Sequence, residues 1–380
     1  MGTRLDGRAA RRWRALPLGG RRRFVSEIKI PGSRYLVGGA VRDELLGVKP
    51  RERDWVIVGA DAETMIEAGF IPIGKAYPVY LHPKSFEEHA LARTEAKIGP
   101  GHGGFSFTND ANVTLEQDLL RRDLTINAMA KSATGELIDP YGGRRDLRDK
   151  KLRHVSAAFA EDPLRCFRIA RFAAKLPNFE IDAATLELAR GMVNELQELS
   201  AERVWNEWVK ALEEEAPYRF YEVLRDAGIA EPWFCELELD ALAEAHRERE
   251  LSLQSAFALV GWLHSKTVLE EFFDRLTAPK KAKSLALEIC RSGRLIKELD
   301  QLDGARAVDV LDQTGAFHGD SRFDSFLVAL NAVTDIEVQR ILNLRNVLRK
   351  VTAAGEQGLK YGQALRRNRI RKLNEIRRNV

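Results

Sequence analysis

The sequence predicts an α+β chain in which a mixed α/β head is followed by an all-helical remainder. Three observations carry that prediction. Short β-rich segments alternate with glycine turns from Tyr35 to about Val155, apolar residues recur at helical spacing from Leu164 onward, and strand signals nearly vanish after Pro163. With 380 residues, 44% of them hydrophobic, the chain can build a substantial core and more than one unit.

In the head, strands are expected at Arg34–Val37, Asp54–Val58, Val79–Leu81 and Phe86–Ala92, with Gly69, Gly74 and Gly135 in or beside turns. The glycine-rich run 97–112 reads as a mobile loop. Leu115–Ala130 reads as a helix and Glu136–Tyr141 as one more strand and turn. Helical spacing then marks Leu164–Leu176, Ala183–Glu198, Glu202–Glu214 and Tyr218–Ala227. The rest reads as a helical body that closes on a basic final helix, Gly358–Arg378. These elements divide the chain into a basic, disordered arm (1–33), a head (34–155), a helical neck (156–230) and a helical body and tail (231–380).

The formal net charge of +4 conceals 60 Lys+Arg against 56 Asp+Glu. Positive charge gathers at Arg21–Arg23 and in the run 366–372, RRNRIRK. Such runs suit a polyanion such as RNA, and they equally suit solvated helix faces. Cys166, Cys235 and Cys290 fit no metal spacing and read as buried residues of a reducing compartment. No apolar run approaches the ~20 residues that span a bilayer, and the N-terminus lacks the apolar core of a secretory signal. A cytoplasmic protein without a membrane partner is expected, as a monomer or a homodimer.

Three stretches carry candidate chemistry. In YLVGGAVRDELLGVKPRERDWVIVG (35–59), Gly38-Gly39 opens a short helix bearing Arg42, and glycine-rich helix starts offer N–H groups to anions. Glu52 and Asp54, at i and i+2 of a strand, share a face and supply hard oxygen ligands of the kind two-metal phosphoryl or nucleotidyl transfer needs. A solvated acidic edge explains the same pair. Glu87 and Glu88 lie on the Phe86–Ala92 strand, and only one of them can face that site. In Arg121–Asn127, a helix would put Asp123 and Asn127 on one side, with Arg122 free to fork onto phosphate; a charged helical turn is the plainer reading. In Glu161–Arg171, Pro163 suits a first helical position and Asp162 an N-cap. Asp162, Arg165, Arg168 and Arg171 also form a stripe too basic for core packing. A carboxylate beside an arginine matches the base edge that cytosine and adenine share.

The ordered set LVGGAVRD (36–43), ERDWVIVG (52–59), ALARTE (90–95), RRDLTINAMA (121–130), IDPYGGRRDL (138–147), EDPLRCFRIARF (161–172) and ERVWNE (202–207) resembles the bacterial class II tRNA nucleotidyltransferases, the CCA-adding enzymes. The likeness covers roughly 34–230, and the remainder looks like the body and tail of the short form that lacks a phosphohydrolase domain. The resemblance implies a polymerase-β-like catalytic head, Mg2+, and tRNA, CTP and ATP as partners. It implies that Gly38, Gly39 and Arg42 receive the triphosphate, that Glu52 and Asp54 hold magnesium, and that Glu88 is the third carboxylate. Arg122 would contact phosphate, and Asp123 with Asn127 would select a ribonucleotide. Asp162 and Arg165 would act as an amino-acid template for CTP and then ATP, with Arg168 and Arg171 holding the nucleotide or the helix. Residues 93–112 would be the flexible loop of the C-to-A switch. The family usually carries Asp where this chain has Glu52, which keeps the charge but reaches one methylene further. The neighbouring readings are an A-only or CC-only enzyme, a poly(A) polymerase, and a silent RNA-binding relative.

Overall fold

A computed structural model describes residues 30–73, 79–97, 105–108, 111–319, 321–355 and 357–378. Almost all of the expected arm, Gly74 and the middle of the glycine-rich run lie outside them.

Alternating apolar residues build the head around one sheet. Its strands and helices run β1 (Ser33–Val37), α1 (Gly39–Leu45), β2 (Asp54–Val58), α2 (Ala62–Glu67), β3 (Ile71–Ile73), β4 (Val79–Leu81), β5 (Glu88–Leu91), β6 (Thr94–Lys97), β7 (Phe105–Thr108), α3 (Leu115–Leu120), β8 (Ala130–Ser132), β9 (Leu137–Ile138) and α4 (Gly143–Arg148). The seven-stranded sheet has the order β3-β4-β5-β2-β1-β8-β9. Within it β2 and β5 are parallel and the other neighbours antiparallel. Val37, Val56 and Ala130 pack one face against Leu115 and Leu119 of α3, while Ile57, Tyr80 and Leu91 pack the other against Met65 and Phe70. The period of two is thus spent on two apolar layers.

The neck holds α5 (Leu164–Lys175), α6 (Ala183–Gly191), α7 (Ala201–Leu212) and α8 (Tyr218–Ala227). The body and tail follow as α9 (Leu239–Glu248), α10 (Leu253–Leu263), α11 (Lys266–Arg275), α12 (Lys280–Lys297), α13 (Gly304–Gln313), α14 (Arg322–Thr334), α15 (Val338–Arg349) and α16 (Gly358–Arg378). One apolar core runs from Leu36, Ile126 and Met129 of the head through Phe167 and Trp208 of the neck to Leu373 of α16. An edge-to-face cluster of Trp208, Phe234 and Phe272 lies within it.

Four expectations need correction. The helix expected over Leu115–Ala130 ends at Leu120, and Thr125–Asn127 is a single 3-10 turn before β8. The cause is competition for backbone groups: Thr125 N–H donates to Arg153 C=O, and Leu124 pairs with His154. The run expected to be a loop at 97–112 contains a strand, β7, which pairs antiparallel with β6 ending at Lys97. β3, β8 and α4, each six residues or fewer, escaped the reading from periodicity, as did α13, although it buries Ala307, Val308 and Leu311 at helical spacing. Cys166 is buried and its thiol pushed up to about 12 by that burial, but Cys235 is exposed and Cys290 only half-buried.

Candidate active site

The first residues of β2 and β5 stand side by side, because their register pairs Asp54 with Glu88. Partial burial raises the carboxyl of Asp54, Glu52 adds to the rise, and Arg122 opposes it. Burial raises Glu88 as well, reinforced by Asp54 and then Glu52. Glu52 itself precedes β2 and is exposed, so the argument from alternation along a strand does not apply to it. Its charge still reaches both partners. Glu87 turns away, accepting a hydrogen bond from Ser85 Oγ at 3.2 Å. Three mutually repelling carboxylates bring together the hard oxygen donors that a divalent cation takes, yet among the described residues no group of three His, Cys, Asp or Glu is placed so that it could hold a metal ion.

On the side of β1, Gly38 precedes α1 with φ of 70°. A Cβ there would lie 2.9 Å from a guanidinium nitrogen of Arg122, so side-chain approach and backbone conformation both call for glycine. Arg122 donates to Asp118 at 3.1 Å, and its buried Nε has no partner. Burial works against the charge of Asp118, but Arg121 and Arg122 outweigh it and hold the carboxyl below its usual range. Arg122 therefore sits between the glycine turn and Asp54 as a fixed positive charge.

Arg42 does not project into solvent. It is 3% exposed, donates to Asp43 Oδ1 at 2.9 and 2.7 Å, and donates to Asn127 Oδ1 at 2.6 Å. Asn127 in turn donates to Asp123 at 3.0 Å. The two residues meet as the sequence suggested, but across a 3-10 turn rather than along an α-helix. Arg168 of α5 grips the other Asp123 oxygen at 2.9 and 2.5 Å. Burial opposes the charge on Asp123, and Arg168 with the Asn127 hydrogen bond overcomes it, holding the carboxyl well below the usual range.

The ionic chain continues. Arg171 donates to Glu207 of α7 at 2.6 Å, Glu207 lies 3.9 Å from Arg168, and Arg171 lies 3.7 Å from Glu214. Lys175 closes the other end on Asp43 at 3.4 Å. Asp162 accepts from Leu164 N–H at 3.1 Å, as an N-cap would, and from Arg203 of α7 at 2.7 Å. Arg165 donates to the carbonyls of Ala158 and Arg121 at 2.6 and 2.7 Å. The stripe on α5 was expected to be too basic for packing. It is instead an ionic seam between head and neck, possible because acidic partners from α7 and the head meet its arginines.

Residues 34–153 match the Poly A polymerase head domain, and residues 178–240 match the Probable RNA and SrmB-binding site of polymerase A. The CCA-adding enzyme of Coxiella burnetii is 39% identical over 347 residues, covering 90% of this chain and 91% of that protein. The chain belongs to the CCA-adding enzyme family. The Multifunctional CCA protein of Neisseria meningitidis serogroup B, 44% identical over 347 residues, covers 80% of this chain and 83% of its own. Among solved folds, the Bacillus stearothermophilus CCA-adding enzyme in complex with CTP superposes with a TM-score of 0.67 at 23% identity, over 90% of this chain and 89% of that one. The Thermotoga maritima CCA-adding enzyme complexed with tRNA gives a TM-score of 0.63 at 21% identity, over 90% and 87%. These two share the fold. This member of the CCA-adding enzyme family is therefore a tRNA nucleotidyltransferase with a mixed-sheet head and a helical remainder.

Sequence reasoning passed over several groups that hold this family member's site together. Asp43, Asp118, Lys175, Arg203 and Glu207 all make ion pairs within it. Charge alone did not single them out in a chain that is 31% charged. One signal was available: Glu207 lies on the same helical side as Val204, Trp208 and Ala211, all buried. A carboxylate on an apolar face asks for a buried cation.

Proposed function

We propose that the chain adds CCA to tRNA 3′ ends, taking CTP twice and then ATP and releasing pyrophosphate each time. The observation that carries this is the in-register pair Asp54–Glu88 in a head whose Gly38 turn approaches Arg122 and whose Asp123 is ion-paired to Arg168 of the Asp162–Arg171 helix. Asp54 and Glu88, with the exposed Glu52 before β2, would hold Mg2+. When bound, the metal supplies charge neutralisation on the triphosphate and a more acidic attacking hydroxyl. Gly38 and Gly39 let the triphosphate approach the backbone closely, and Arg122 meets its charge. Arg42 orders Asn127 and Asp123 rather than gripping phosphate with a free fork. Asp123 and Asn127 read the ribose, while Asp162 and Arg165, each anchored by neighbours, present the acceptor and donor that cytosine and adenine share. Arg168 and Arg171 set the position of that helix.

The tRNA lies on charge offered by the tail. On α16, Arg366 is bound to Asp309 at 2.6 Å, Arg369 stacks 3.8 Å over Phe317, and Arg377 donates to two carbonyls. Arg367, Arg371 and Arg378 remain exposed and recur at helical spacing, so they suit phosphates read by shape and charge. The test is incorporation of labelled CTP or ATP, with magnesium, into transcripts ending before CCA, after C, or after CC. Full CCA addition predicts C, C and A in order. Incorporation of one nucleotide type alone would favour an A-only or CC-only enzyme, long A tails a poly(A) polymerase, and tRNA binding without incorporation a silent relative.

A further inference from the structure

Phe86 is 64% exposed. It lies in the turn between β4 and β5 at φ of 58°, a region that a phenylalanine rarely adopts. The turn is pinned on several sides. Phe86 N–H donates to His82 C=O at 2.8 Å, His82 N–H to Glu87 C=O at 3.0 Å, and Ser85 N–H to His82 Nδ1 at 3.1 Å. A turn needing only that backbone would be served better by glycine or asparagine. An aromatic ring there gains nothing from burial. Two residues further on, Glu88 pairs in register with Asp54.

We infer that Phe86 is a stacking platform for the 3′-terminal base of the tRNA whose hydroxyl reacts, an assignment that rests on the nucleotidyl-transfer reading above. A hydroxyl delivered to the Asp54–Glu88 pair carries its own base no further than one nucleotide away. The hydrogen-bonded turn holds an exposed ring two residues before Glu88, at the end of β5 where Asp54 also begins its strand. Stacking on a ring face tolerates any base, which suits an acceptor end whose last base changes as the product grows.

Phe86→Gly removes the ring while favouring the backbone conformation, so it should melt no lower than wild type. Its Kd and KM for transcripts ending before CCA, after C and after CC should all rise on the order of tenfold. The KM values for CTP and ATP should stay put, and Phe86→Tyr should behave as wild type. Unchanged tRNA Kd and KM in Phe86→Gly, beside an active wild type, would overturn the assignment. So would a rise confined to one transcript, which would indicate base reading, or a shift in nucleotide KM. A wild type that adds no nucleotide would instead overturn the reaction itself.

Discussion

Asp54 shows how function and stability part company at one residue. Desolvation and the charge of Glu52 raise its carboxyl while Arg122 opposes them, and the residue remains exposed. As a metal-holding group, Asp54→Asn should abolish nucleotide incorporation, leave tRNA affinity nearly intact and leave the melting temperature nearly unchanged. Calorimetry beside the incorporation assay checks both halves, and retained turnover would show that the metal assignment is wrong. Glu52 lies outside the strand and is exposed, so a side chain one methylene shorter fits there without a change in packing. Glu52→Asp should keep incorporation and change its dependence on magnesium concentration, read by titration. The sequence alone made Glu52 and Asp54 visible as a pair. Strand alternation left Glu87 and Glu88 open, the family resemblance pointed to Glu88, and the sheet register pairs that residue with Asp54.

At the scale of elements, the seam between head and neck is the feature most exposed to mutation. Glu207 is 4% exposed and bridges Arg168 and Arg171, so removing its charge leaves Arg168 to Asp123 and Arg171 to Glu214 alone. Glu207→Gln should cost about 3 kcal/mol in chemical denaturation and loosen nucleotide choice, seen as A incorporated where C belongs. A second contact between elements has no chemistry in it. A Cβ on Gly261 of α10 would come within 2.3 Å of the Ala286 carbonyl oxygen of α12. Gly261→Ala should force those helices apart and lower stability by roughly 1–3 kcal/mol without altering nucleotide specificity. The helices themselves were legible from apolar spacing. Their close approach was not, since one glycine among 28 carries no mark of what passes over it.

For the whole molecule, pH should act through the buried histidines before it acts on the seam. Burial holds His246, whose two ring nitrogens have no partner, down to about 4, and does the same to His89. Both are neutral when folded, and both bind protons more readily when unfolded. Their contribution is thus complete above pH ~6.5, where the unfolded imidazole is also neutral, and is lost as pH falls from there towards 4. Stability measured across that window should decline, and His246→Leu should flatten part of the slope. Asp123 contributes in the same sense but lower, where its depressed carboxyl begins to protonate. Electrostatics also sets the partner. Replacing Arg367, Arg371 and Arg378 together by alanine should weaken tRNA binding and flatten its log–log salt dependence by about 2–3, measured by anisotropy at several salt concentrations.

What the sequence determined by itself was the fold class, the order of motifs and the family they spell, because these follow from local periodicity and residue spacing. It also placed Asp123 near Asn127, although by the wrong backbone route. Only the tertiary structure decided that Asp54 and Glu88 stand in register, that Arg42 is turned inward, and that the basic stripe of α5 is an ionic seam. Each of those depends on a partner far along the chain. Burial of a charge is settled by what faces it, and spacing along one segment does not record that.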